Sequence, residues 1–138
     1  MKIIKIPYDL SSPATVEEVT DELCLQQMKQ LIGIEWAEVV LTFLNSSDLH
    51  REFCLIVDEV GKLKDNWIDR INVRASQFYL GTQAGDPIVG DVILCAREWT
   101  YSFGECDLAG LEDSEIRSLM NYLQKENTDE RKNNRNHK

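Results

Sequence analysis

Apolar residues recur along this chain in two rhythms, and each change of rhythm marks a new element. Lys2–Ile6 (KIIKI) is short, β-branched and stopped by Pro7, which predicts a first strand. After a turn at Ser11, Ser12 and Pro13, the segment TVEEVT is bounded as a second strand pairing back on the first, in preference to a helix start. From Asp21 the period lengthens: Leu25, Met28, Leu31 and Ile32 fall at helical spacing, with Asp21 placed to cap and Gly33 to supply a left-handed last residue. In EWAEVVLTFL the period returns to two. Ala37, Val39, Leu41 and Phe43 form the face expected to be buried, opposite Trp36, Glu38, Val40 and Thr42. EFCLIVDEVGKL then predicts a strand that enters a turn at Gly61.

Between Asn66 and Leu80, Ile68, Ile71, Ala75 and Phe78 recur at three- or four-residue steps and predict a second helix, weakened by its β-branched residues. GDPIVGDVILCA (Gly85 to Ala96) poses a sharper question, because its glycines invite comparison with a phosphate loop. A phosphate loop of the GxxxxGK[ST] kind needs a Lys that is absent here, and no GxGxxG joins a strand to a helix. The segment therefore predicts a turn at Gly85-Asp86-Pro87, a bulge or close approach at Gly90, and a buried strand beyond. REWTYSF alternates as a further strand, and Ile116, Leu119, Met120 and Leu123 make the stripe of a last helix started by Asp113 or Ser114. KENTDERKNNRNHK has no apolar residue and is expected to fray without a partner.

Composition narrows the picture. A chain of 138 residues, 43% hydrophobic and 28% charged, supports a single domain with a core, residues 1–124, followed by a polar, net basic tail, 125–138. The formal charge is -9, and the tail contributes none of the excess, holding five Lys or Arg against three Asp or Glu. An acidic body repels phosphates, so direct nucleic-acid binding is not expected, whereas steering towards a basic protein surface is. The four cysteines form no CxxC pair and no run approaches the ~20 apolar residues of a membrane span, which fits a cytoplasmic protein with reduced thiols and no metal or cofactor.

On LCLQQMKQLIGIEWAEVV, VDEVGKL, NVRAS and GDPIVGDVILC, the chain resembles a domain-of-unknown-function family of small proteins encoded on bacterial phages, plasmids and conjugative elements. The blocks run from about Leu23 to Leu94, with a weaker echo at LEDSEI. The family pattern has a second glycine where Ile34 stands and a proline ahead of Asn72 that is absent here. The resemblance implies a compact α+β domain from a mobile element and brings no established activity with it. Its setting suggests a protein that blunts a host defence.

Candidate chemistry is sparse. His50 is the one histidine of the folded part, and a hydrolase would need it against a thiol such as Cys54 or a carboxylate. Clustered acids and exposed aromatics suit a protein interface, with Glu17, Glu18, Trp36, Glu38, Asp58, Glu59 and Trp67 as partner-binding candidates. Arg70, Asn72 and Arg74 could instead hold an anionic, nucleotide-like ligand, since arginine forks such groups. The expectation is a single α+β domain with a mostly antiparallel sheet of five or six strands, two or three helices and a β-grasp-like order ββαββ. Functionally it is a non-enzymatic interaction module, an anti-CRISPR or antirestriction-type inhibitor that binds a basic surface of a host defence nuclease. A nucleotide-sequestering protein is the alternative.

Overall fold

A computed structural model describes residues 1–20, 25–44, 51–79, 85–99 and 106–136, and for 99, 106, 107 and 125–136 the backbone alone. Strands β1 (Lys2–Ile6), β2 (Thr15–Glu18), β3 (Ala37–Leu41), β4 (Arg51–Asp58), β5 (Val92–Trp99) and β6 (Cys106–Ala109) form one sheet. The helices are α1 (Leu25–Ile32), α2 (Val73–Ser76) and α3 (Asp113–Asn136), with 3₁₀ turns at Gly61–Leu63 and Trp67–Arg70. The first five elements follow the expected order ββαββ. The sheet order is β2-β1-β5-β4-β3, with β6 beside the second half of β5, and every pairing is antiparallel.

The central strands are apolar in unbroken runs because both of their faces are covered. Phe53, Leu55 and Val57 of β4 and Val92, Leu94 and Ala96 of β5 join Ala75, Phe78, Ile88, Leu119 and Leu123 on one side of the sheet. Cys54, Ile56, Ile93 and Cys95 face the other way, beneath Met28 and Ile32 of α1 and Ile34. Gly33 takes φ 65° and donates its N–H to Lys29 O at 2.9 Å, ending α1 as its sequence position suggests. The Asp21 cap lies outside the described residues.

The facing of β3 is the reverse of the expected one. Val40 is the buried residue, while Ala37, Val39, Leu41 and Phe43 are exposed. Period two fixes which residues share a face, but burial depends on what lies above it. The short α1 packs over the centre of the sheet and leaves the outer strand bare, whereas Phe78 and Ile88 share the core on the side of Val40. A similar override breaks the expected second helix into two short pieces. Asn66 sits in the left-handed region, Ile71 bridges to Val89, and Asn72 starts α2 by accepting a hydrogen bond from Ala75 N.

GDPIVGDVILCA is a strand entrance. Gly90 has φ 85°, its N–H reaches Arg70 O at 2.7 Å, and β5 starts two residues later. The separate strand expected over REWTYSF is instead the end of β5, which continues to Trp99; the residues from Thr100 to Phe103 lie outside the described ones. β6, whose four residues carry no clear alternation, went unrecognised in the sequence. The last helix has the expected stripe, and its backbone continues to Asn136 through most of the polar tail.

Candidate functional site: an acidic corner at one end of the sheet

The β3–β4 register sets Ala37 opposite Asp58 and Glu38 opposite Val57, and one step further Glu59 N–H donates to Trp36 O at 2.8 Å. This pairing collects Trp36, Glu38, Asp58 and Glu59, separated by about twenty positions in the chain, at one end of the sheet. Trp36 is 63% exposed there. Glu38, Val40, Asp58 and Glu59 line a cleft of about 90 Å³, whose other walls include Lys62, Tyr79 and Asp86.

The charges in this corner are not equivalent. Lys64 Nζ lies 2.8 Å from Asp58 Oδ2, and Asp58 Oδ1 also accepts from Val60 N–H at 3.3 Å. Lys62 is ion-paired with Asp86, whose other oxygen accepts from Tyr79 Oη at 3.3 Å. Both aspartates are thus balanced within the protein. Glu38 and Glu59 are exposed and have no ion-pair partner among the described residues, so the available negative potential resides with them. Sequence reasoning found three of the four acids here but missed Asp86, Lys62 and Tyr79. Asp86 stood out only as a turn residue, and no local signal tells that its turn folds back over β3.

The other candidates lie elsewhere. Glu17 and Glu18 are on β2, the opposite edge of the sheet, where Glu17 accepts from Thr15 Oγ1 at 2.9 Å. Glu18 borders a shallow groove with Gln27, Gln30 and Leu31 of α1. Trp67 is half-buried in its 3₁₀ turn. The proposed ligand triad is used for construction instead. Asn72 is fully buried, and its Nδ2 donates to Ile6 O at 2.8 Å and Gly90 O at 2.9 Å. Arg74 is 2% exposed, with Nη2 donating to the carbonyls of Pro7, Asp9 and Ser12 at 2.6, 3.1 and 2.8 Å. Arg70 stacks over the Tyr8 ring at 5.5 Å. Arg74 lines a crevice of about 50 Å³, far below the ~300 Å³ of an ordinary ligand pocket.

Reactive side chains are equally committed. Cys54 and Cys95 are cross-strand partners with Sγ atoms 3.7 Å apart, both fully buried. Their mutual hydrogen bond lowers the Cys54 thiol and, together with burial, holds Cys95 well above the usual thiol range. His50 lies outside the described residues, and no cluster of three or more potential metal ligands occurs among the described ones. Among the described residues, no helix is long and apolar enough to cross a membrane. No protein-family model, curated protein or solved structure matches this chain.

Proposed function

We propose that this protein is a non-enzymatic interaction module that binds a basic protein surface through the corner formed by Trp36, Glu38 and Glu59. The observation that carries this reading is the exposed Trp36 at the end of β3 next to two glutamates that have no ion-pair partner among the described residues. A large amphipathic ring supplies contact area at low entropic cost, and uncompensated carboxylates supply steering and specificity. The net charge of -9 favours the same class of partner. On the resemblance read from the sequence blocks alone, the proposed partner is a host defence nuclease whose nucleic-acid cleft is basic, with the protein acting as an anti-CRISPR or antirestriction-type inhibitor.

The test is capture of partners from a bacterial host, with proteins and small molecules both identified by mass spectrometry, using the wild type and two charge-reversed variants. Glu38→Lys/Glu59→Lys should lose a stoichiometric basic nuclease, and Glu17→Lys/Glu18→Lys, on the far edge, should retain it. Capture should weaken steeply with salt. Equal capture by both variants, or recovery of a nucleotide with no protein, overturns the reading.

A further inference from the structure

We infer that Cys54 and Cys95 form a modification site, at which hydrogen peroxide oxidises the two facing thiols to a reversible disulfide between the central strands β4 and β5. The inference is independent of the interaction reading above, because it concerns the core of the sheet and not the acidic corner.

The strand register places the two residues. Cys54 is the direct antiparallel partner of Cys95, and their Sγ atoms stand 3.7 Å apart. The hydrogen-bond phase fixes the backbone spacing. Glu59 N–H donates to Trp36 O, and Phe53 O accepts from Thr42 Oγ1. Odd-numbered residues of β4 therefore turn their backbone groups towards β3, and even-numbered ones towards β5. Cys54 and Cys95 are thus a hydrogen-bonded pair, with Cα atoms about 5.5 Å apart. A disulfide accepts roughly 4.4–6.8 Å between Cα atoms, so the backbone already meets its requirement. The Cβ atoms of such a pair sit about 5.5 Å apart, wider than the ~3.8 Å of a relaxed bridge, so the bond draws the strands together and stays reducible. As packing alone, each cysteine would behave as a small apolar side chain. Two directly opposed thiols in contact add a chemistry that neither position has by itself.

The surroundings distinguish the two sulfurs. Period two puts Glu52, Cys54 and Ile56 of β4 on the same face as Ile93, Cys95 and Arg97 of β5. Met28 and Ile32 of α1 cover this face, and at the next pair along the ladder Arg97 Nη2 donates to Glu52 Oε2 at 2.7 Å. The Cys54 thiol is lowered first by its hydrogen bond to Cys95 and further by the Arg97 charge, against burial and the Glu52 carboxylate. Cys95 is held well above the usual thiol range by the same hydrogen bond and by burial. Cys54 therefore acts as the nucleophile and Cys95 as the resolving thiol.

In the first step the Cys54 thiolate attacks one oxygen of peroxide, the O–O bond breaks, and the leaving hydroxide takes the thiol proton as water. Cys54 is then a sulfenic acid. In the second the Cys95 sulfur attacks the Cys54 sulfur, the S–O bond breaks, and the hydroxyl leaves with the Cys95 proton as a second water. The two thiols lose two electrons and two protons, and peroxide is reduced to two waters. Peroxide is close to water in size, so it enters on openings of the cover that exclude a maleimide. Because the second step joins sulfurs already in contact, it outruns further oxidation to the sulfinic acid.

The experiment exposes the full, reduced chain to hydrogen peroxide in neutral native buffer, caps the remaining thiols under denaturing conditions and maps the unreduced digest by mass spectrometry. The peptides carrying Cys54 and Cys95 should appear joined, with two hydrogens lost, and should exceed any pairing with Cys24 or Cys106 by at least about tenfold. Dithiothreitol should return both thiols. Cys95→Ser should leave Cys54 as a sulfenic acid that dimedone captures, whereas Cys54→Ser should leave Cys95 unmodified. Should either variant misfold, the wild-type map decides by itself. Three results overturn the inference: both thiols still free while the denatured chain reacts, a link to Cys24 or Cys106 as the main product, or Cys54 converted to sulfinic acid beside a free Cys95. None of them touches capture by the charge-reversed variants, so the interaction reading stands or falls separately.

Discussion

Arg51 and Glu115, 64 residues apart in the chain, meet as a two-toothed ion pair that fastens α3 to the sheet, with Nε 3.1 Å from Oε2 and Nη2 2.8 Å from Oε1. Glu98 accepts from Arg51 Nη1 at 2.6 Å, and Gly110 O accepts from Nη2. Glu115 Oε1 also takes the N–H of Glu112, so the carboxylate that holds the arginine caps the start of the helix. Burial alone would lower the guanidinium, but its hydrogen bond and charge pairing with Glu115, reinforced by Glu98, leave it raised.

Breaking this pair from one side leaves the other charge buried. The Arg51 side chain is 6% exposed and that of Glu115 14%. Glu115→Gln should therefore cost about 3 kcal/mol in chemical denaturation. Replacing both residues with apolar ones of similar size should recover much of that loss. Because a group held above its unfolded pKa keeps its stabilisation below that value, the arginine adds no pH dependence across the neutral range.

Arg74 should behave as a structural residue. Its guanidinium holds three carbonyls of the loop between β1 and β2. Arg74→Met should lower stability by about 3 kcal/mol and the melting temperature by roughly 10 °C. Calorimetric titration with nucleotides should give the same result for both proteins; nucleotide binding lost on this substitution without a fall in stability would contradict the assignment.

The same loop carries an acid-sensitive turn. The Asp9 carboxylate is held below its ordinary value of 3.8 first by the Ser11 hydroxyl at 2.8 Å and then by the Ser11 N–H at 2.9 Å. A carboxyl with a depressed folded-state pKa contributes stability above the unfolded value and loses it as pH falls through the folded one. Urea denaturation between about pH 3 and 6 should show Asp9→Asn with a shallower acid limb than wild type.

Cys54 and Cys95 should resist maleimide in the native protein and become modified together on opening of the core, as mapped by peptide mass spectrometry. Both thiols are fully buried beneath α1, so labelling reports opening rather than thiol reactivity. Rapid modification of one thiol without the other in native buffer would contradict their shared cover.

Much of the architecture follows from local chemistry, and the acidic corner only in part. Pro7, Gly33, Asn72 and Gly90 act where their backbone preferences place them, and the stripe of α3 appears where its spacing predicts. Glu38, Asp58 and Glu59 could be named as candidates because acids and an exposed aromatic suit an interface. That Asp58 is neutralised by Lys64, and that Asp86 closes the same cleft, depends on contacts between residues distant in sequence.

The sequence by itself determined the α+β class, the turns at Gly61 and Gly85–Pro87 and which residues of β3 share a face, because these follow from backbone geometry and side-chain period. Only the tertiary structure decided which of those faces is buried and which arginines are spent on carbonyls. Each of these depends on what another part of the chain covers, and α1, packed over the centre of the sheet, leaves Val39 and Leu41 exposed at its rim.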